Sequence, residues 1–212
     1  MKVKKYPQSH LVITSDSGKK IIIDPGYLTY KFGFKIEDFK GADGYLITHQ
    51  HADHLDPETI KEVVGESPVY GNSDVVGKLA EVGVKGTEIR NGEKFSVDGV
   101  EITPIDILHF TKPNVTMPQN TGFLIDGVFF HPGDGWKLKG AKADKAAIPI
   151  SGPADGDIGM NQGLELAKSL GAKVVIPIHN DAYPADPADF IPLAEPAGIK
   201  VIPLQNGQET EI

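Results

Sequence analysis

Residues 49–54 read His-Gln-His-Ala-Asp-His, four metal-binding side chains in six positions of a chain with seven histidines. The apolar run Tyr-Leu-Ile-Thr at 45–48 leads straight into them and reads as a buried strand that ends at the cluster. On an extended segment residues i and i+2 point to the same side, so His49 and His51 can share one ion. Asp53 and His54 are neighbours and cannot share a side on a strand; where the chain turns, they can face a second ion. This differs from H-E-x-x-H, which sets two histidines on one helical face. The competing reading is a polar loop, and it must place four ligand types directly after a buried strand by chance.

Two close ions need further ligands. His109 and His179 each end an apolar run, at 105–109 and 174–179, where scaffold gives way to loop and site residues commonly sit. Alone, each reads as an ordinary histidine; beside the 49–54 cluster, the ligand reading is the better one. Asp134 in Phe-Phe-His-Pro-Gly-Asp-Gly again follows an apolar strand. Pro-Gly-Asp-Gly is also an ordinary turn, so residue types alone leave Asp134 evenly between turn and ligand. His131, inside that strand, reads as structural.

The elements that must position these residues begin with a hairpin, 10–14 and 20–24 around Ser-Asp-Ser-Gly. After the 45–48 strand, Asp56 as N-cap and Pro57 at the first position predict a helix over 57–64. A second helix spans 73–82 and stops at Gly83. Strands follow at 93–97 and 100–103 about Asp-Gly, then at 105–110, 121–125 and, after a second Asp-Gly, 128–131. The last third alternates: strand 146–150, helix 161–170, strand 174–178, helix 187–194, strand 199–202. Hairpins first and strand–helix alternation later predict a mixed α/β (α+β) chain of two sheets with helices packed outside them.

The bulk properties set limits. The 212 residues suit a single domain, 1–212, with 40% hydrophobic and 24% charged residues. No run approaches a membrane span and no apolar stretch follows the basic start, so a cytoplasmic protein off the membrane is expected. The net charge of −8 and pI near 5.3 argue against non-specific nucleic-acid binding. Arg90 is the single arginine, so a phosphate-bearing substrate would rely on lysine, backbone N–H groups or metal. Lys112 and Lys137 are candidates to hold an anion, and Trp136 to wall a pocket beside Asp134. Tyr27, Tyr30, Phe32 and Phe34 could line a pocket or leave a homo-oligomer contact open, with local packing slightly favoured.

The ordered set Thr-His-Gln-His-Ala-Asp-His, a lone histidine, Gly-Asp and a final histidine resembles the metallo-β-lactamase superfamily of binuclear metal hydrolases. Ile-Ile-Ile-Asp-Pro at 21–25 resembles its early strand and aspartate, so the likeness spans nearly the whole chain. Within the superfamily, His54-Leu55-Asp56 and the segment 148–180 resemble the branch that includes the ascorbate-6-phosphate lactonase. That branch has a glycine before an early histidine on its first hairpin, and this chain departs from it with Ser9-His10; His10 is a candidate either behind the ligands or on the substrate side. The resemblance implies a four-layer αββα sandwich. It implies His49, His51 and His109 on one ion, Asp53, His54 and His179 on a second, and Asp134 bridging them, with Asp24 steadying the ligand loop.

Two divalent ions, zinc or manganese first and iron next, would hold a bridging hydroxide that attacks an ester, lactone or phosphodiester bond of a small molecule, with Asp53 or Asp134 taking a proton. The alternatives are a phosphodiesterase or nuclease of the same fold, and a metal-binding protein without turnover. A flavodiiron-type oxidoreductase is disfavoured by His51 and by the chain length.

Overall fold

Isoleucines 21, 22 and 23 show how the layers are built. In the computed structural model, which describes residues 1–138 and 140–212, all three are fully buried on strand Lys20–Ile23. Side chains alternate across a strand, so Ile21 and Ile23 enter one apolar cluster and Ile22 another on the opposite face. Strand Gly44–Ile47 repeats the pattern: Leu46 turns one way, Tyr45 and Ile47 the other. Each such isoleucine contributes about 1.5–3 kcal/mol by leaving water, which pins the register of strands buried on both faces.

Two seven-stranded sheets result. The first runs, in spatial order, Glu209–Glu211, Lys2–Lys5, Leu11–Thr14, Lys20–Ile23, Gly44–Ile47, Val69–Gly71, Gly86–Glu88. The second runs Lys200–Val201, Val174–Ile178, Lys145–Pro149, Phe129–His131, Thr121–Ile125, Val100–Asp106, Phe95–Val97. One cluster, containing Leu11, Ile23, Leu46, Phe123, Phe129 and Ile178, lies between the sheets. A second joins the first sheet to helices Ile60–Val64 and Ser73–Glu81 through Val63, Val75 and Leu79. A third joins the second sheet to helices Met160–Leu170 and Ile191–Ala194 through Leu166, Leu170 and Ala194. Three apolar interfaces make four layers, αββα, the architecture the resemblance implies. Among the described residues, no helix is long and apolar enough to cross a membrane.

Several expected elements shift. The helix drawn over 57–64 begins only at Ile60, because Asp56 closes a turn instead, accepting from Glu58 N at 3.2 Å and Thr59 Oγ1 at 2.7 Å. The strands drawn at 100–103 and 105–110 become Val100–Asp106, running through Pro104, and a separate Leu108–His109. Pro104 is tolerated because the neighbour on one flank, Phe95–Val97, has already ended at its pairing with Ile102. The aromatic segment after Pro25 includes a short helix, Tyr27–Lys31; Tyr30 and Phe34 pack inward while Tyr27 and Phe32 stay exposed. Among the described residues five strands have no counterpart in the sequence reading, one of them Gly135–Lys137. Lys2–Lys5 and Glu209–Glu211 are mostly charged, and Val69–Gly71 and Gly86–Glu88 span three residues each. Both Asp-Gly turns form as expected, with positive φ at Asp98, Gly99, Asp126 and Gly127.

The layout that matters for function is at one edge. Strands Lys20–Ile23 and Gly44–Ile47 run parallel, with Ile23 opposite Leu46, so Asp24 and Thr48 emerge side by side. In the other sheet Lys145–Pro149 and Val174–Ile178 run parallel, which delivers Ser151 and His179 together. Thr121 N donates to Thr48 O at 3.0 Å and ties the sheets at this edge.

Candidate metal centre

The seven residues expected as ligands converge at that edge. His49, His51, His109 and Asp134 form one group, and Asp53, His54, Asp134 and His179 a second; within each, one ligand atom per residue lies within 4.8 Å of every other. Asp134 belongs to both. Its Oδ2 stands 3.2 Å from His179 Nε2, 3.6 Å from His109 Nε2 and 3.8 Å from His49 Nε2, while Oδ1 stands 3.0 Å from His54 Nε2. The turn Pro-Gly-Asp-Gly therefore also carries the side chain common to both groups.

Each inward nitrogen is selected by what its partner nitrogen does. His54 Nδ1 donates to Asp24 Oδ2 at 2.7 Å, His109 Nδ1 to Phe110 O at 2.8 Å and His179 Nδ1 to Ser151 O at 2.6 Å. His49 Nδ1 faces Thr48 Oγ1 at 3.1 Å. These contacts leave Nε2 of all four rings as the nitrogen that faces the centre. His51 is the exception and turns Nδ1 inward.

Two observations fit cations here. His49 Nε2, His51 Nδ1 and His109 Nε2 are mutually 3.0, 3.3 and 3.3 Å apart. Nitrogens about 2.0–2.1 Å from one tetrahedral or octahedral ion lie roughly 2.9–3.4 Å from each other. In addition, His54 Nε2 and Asp134 Oδ1 are buried and 3.0 Å apart, yet neither has a hydrogen-bond partner. Burying two such groups unsatisfied is costly, and a cation between them would satisfy both.

The charge distribution in the bare protein is uneven. Burial disfavours the His54 cation, but the Asp134, Asp24 and Asp53 carboxylates outweigh it and hold this ring protonated well above the usual imidazole range. Against the same burial, His179 is raised to about 10 by Asp134 and Asp53. Burial instead prevails at His49 and His51, both lowered, and at His109, lowered to about 4. Burial works against charge on Asp53 too, yet His54 and His179 lower it to about 2; His179 and His54 hold Asp134 well below the carboxylate range.

Supporting residues surround the ligands. Asp24, in a left-handed conformation at φ 52°, accepts from Thr48 N at 2.8 Å and Thr48 Oγ1 at 2.7 Å besides His54. Asn120 accepts from Asp134 N at 3.3 Å and donates to Pro132 O at 2.9 Å. Asn72 donates to Thr48 O at 3.0 Å and caps helix Ser73–Glu81 by accepting from Val75 N. Gly26 lets the ligand loop pass: a Cβ there would lie 2.0 Å from the Asp53 carbonyl. None of Asn72, Asn120 or Gly26 was singled out in the sequence, because each acts on a distant segment.

Two candidates fall elsewhere. His10 is buried in the aromatic cluster, stacked on Tyr6 at 4.8 Å and edge-on to Phe39 at 4.6 Å, with Nδ1 2.8 Å from Thr29 Oγ1. Burial lowers its pKa to about 3, so it is a neutral packing residue rather than a substrate-side one. Trp136 sits on strand Gly135–Lys137 with Lys137 over its ring, away from the described cavity wall. The cavity of about 180 Å³ at the centre is lined by His51, Asp53, Asp134 and His179, with Phe110, Lys112, Val115, Met117 and Tyr183 around them. His131 is structural, as expected, donating from Nε2 to Ser9 O at 2.8 Å.

A His/Asp cluster at the edge of an αββα sandwich defines the class, and comparison with known proteins agrees. Residues 2–179 match the family model described as Beta-lactamase superfamily domain. A UPF0173 metal-dependent hydrolase of Pyrococcus abyssi is 30% identical, over 96% of this chain and 96% of the relative. The chain therefore belongs to the beta-lactamase superfamily and, within it, to the UPF0173 metal-dependent hydrolases. Igni18, described as a metallo hydrolase from Ignicoccus hospitalis, is 25% identical and superposes with a TM-score of 0.76 over 100% of this chain and 98% of its own. CmlA, a diiron β-hydroxylase from Streptomyces venezuelae, reaches 0.74 at 15% identity, over 100% of this chain and 54% of its own. That last likeness extends to the fold alone, so the reaction must be argued from the site.

Proposed function

We propose that this chain, acting as a single domain, holds two divalent ions and hydrolyses an ester, lactone or phosphodiester bond of a small molecule. His49, His51 and His109 would bind one ion, Asp53, His54 and His179 the other, and Asp134 both. The observation that carries this reading is the pair of ligand groups sharing Asp134, with the outward nitrogen of His54, His109 and His179 already engaged. Nitrogen-rich sets with carboxylate oxygen suit zinc and manganese, and accept iron. Such a pair of ions, when bound, supplies ionised water near neutral pH and polarises the oxygen that becomes negative.

The chain's own residues do the rest. Asp134 is buried and ionised, so its geometry is set before substrate arrives. Asp53 keeps 23% of its side chain exposed and faces the cavity, which makes it the carboxylate placed to receive a proton. Phe110, Val115, Met117 and Tyr183 give the cavity an apolar part of its wall. Lys112, the one lysine among the described lining residues, can attract an anionic substituent. A cavity near 180 Å³ is smaller than common drug-sized sites of about 300–1,000 Å³, which favours a small substrate over a nucleic acid. The lactonase-like reading within the superfamily rests on the likeness of His54-Leu55-Asp56 and of the segment 148–180 to that branch. Here Leu55 is buried in the apolar cluster and Asp56 caps a turn, so neither names a substrate.

The test is to assay protein reconstituted with zinc or manganese against lactones, thioesters, carboxylic esters and phosphodiesters. Hydrolysis that disappears with chelator and returns with metal is the expected result. Two bound ions with no turnover of any of these would support metal binding without hydrolysis instead.

A further inference from the structure

Gln8 is completely buried, yet it is the residue before Ser9-His10 in the first hairpin and carries no obvious chemistry. Its backbone sits at φ 65°, a left-handed conformation that few residues other than glycine and asparagine adopt without strain. Five hydrogen bonds hold it there. Gln8 N donates to Asp181 Oδ2 at 2.6 Å, and Gln8 O accepts from His179 N at 2.9 Å. Side-chain Oε1 accepts from Asp181 N at 3.3 Å and Ala182 N at 3.1 Å. Nε2 donates to Asp53 Oδ2 at 3.2 Å. Reversing the amide would turn oxygen toward a carboxylate and NH2 toward two N–H groups, so the network admits one orientation.

The partners share a feature. Asp53 and His179 belong to the same ligand group, and neither belongs to the other one. Asp53 Oδ2, the atom Gln8 holds, is also the oxygen that faces His54 Nε2 and His179 Nε2, each at 3.7 Å. His179 is itself in a left-handed conformation, φ 58°, and its N–H is spent on Gln8. Asp181 is fixed from behind by Lys5 Nζ at 3.3 Å and Asn206 Nδ2 at 2.6 Å. One side chain and its peptide thus join the segment bearing Asp53 to the turn bearing His179, which come from different sheets.

We propose that Gln8 is a positioning residue for the second ion: its amide aims Asp53 and its peptide seats His179, so it sets the affinity of the Asp53–His54–His179 group while leaving the His49–His51–His109 group untouched. This rests on the two-ion reading above. A carboxylate accepts from Gln8 with one lone pair and keeps another for a cation, so the contact orients a ligand without displacing it.

Two variants separate the roles. Gln8→Glu keeps an acceptor for the 181–182 N–H groups and removes the donor to Asp53, placing negative charge beside it. Gln8→Leu removes both. Metal-free protein is titrated with zinc by calorimetry, bound metal is counted after dialysis, and the unfolding temperature of each metal-free variant is recorded. Wild type should take up two ions. Gln8→Glu should retain one at wild-type affinity and weaken the other by about ten- to a hundredfold. Wild-type affinity at both sites in Gln8→Glu and Gln8→Leu would overturn the proposal, as would equal weakening of both sites. Loss of folding in both metal-free variants would overturn it too, by making Gln8 a general structural residue. Failure of wild type to bind a second ion would instead bring down the two-ion reading itself, so the two failures are distinguishable.

Discussion

Asp24 Oδ2 lies 2.7 Å from His54 Nδ1, and both groups are fully buried. The same carboxylate holds the N–H and hydroxyl of Thr48, the residue before His49. One aspartate therefore sets the tautomer of His54 and the exit of the strand that carries His49. Asp24→Asn should lower metal affinity about ten- to a hundredfold, because an amide neither balances the imidazole nor fixes its tautomer as well. Competition against a chelating dye would read this; unchanged affinity would remove Asp24 from the site.

Single-ligand variants should divide the metal content. His51→Ala should lose the ion held with His49 and His109 and nearly all hydrolysis, and His179→Ala the ion held with Asp53 and His54. Asp134→Ala should weaken both. Elemental analysis of the three purified variants checks the pattern, and full metal content in His51→Ala would end the two-group arrangement.

Metal-free protein should be most stable near neutral pH. The folded pKa of His179 is raised to about 10 and that of His54 is raised as well, so their stabilisation is complete below about 6.5 and is lost as pH rises toward those folded values. His109 is lowered to about 4 and His10 to about 3, with His49, His51 and His131 also lowered. The unfolded chain binds protons at these histidines below about 6.5 while the folded one resists, so stability also falls with acidification. The depressed carboxylates, Asp53 at about 2 and Asp134, add a further loss below about pH 4. Urea unfolding between pH 4 and 10 should trace a dome. Metal uptake at pH 7 should release about two protons, from His54 and His179, visible as a buffer-dependent heat.

Gly26→Ala tests the close passage of the ligand loop. The added methyl would meet the Asp53 carbonyl at 2.0 Å, and the neighbouring Tyr27 N bonds Ala52 O at 3.0 Å, so neither segment can retreat alone. Overpacking of this kind costs about 1–3 kcal/mol, and metal affinity should fall with it. Urea midpoints measured with and without metal provide the check.

Much of this site was legible along the chain. His49, His51, Asp53 and His54 announce themselves because their spacing acts within one short loop. The continuous apolar runs within 20–24 and 44–48 dictate two-sided burial, and hence strands deep in a layered fold. The same local rules overextended the helix toward Pro57, since Asp56 and Pro57 start a turn as readily as a helix. They also overlooked the charged strand Lys2–Lys5, whose order comes from pairing with Leu11–Thr14 and Glu209–Glu211 rather than from its own residues.

Residue type and spacing by themselves determined which side chains could bind metal and the order in which they occur. Only the tertiary structure decided that Asp134 is shared between two groups rather than being simply a turn residue. It also decided that His10 packs against Tyr6 and Phe39, and that Gln8 joins Asp53 to His179. The reason is physical. Periodicity specifies which face of its own element a side chain occupies, whereas these relationships depend on the register of parallel strands in two sheets and on how those sheets meet at one edge.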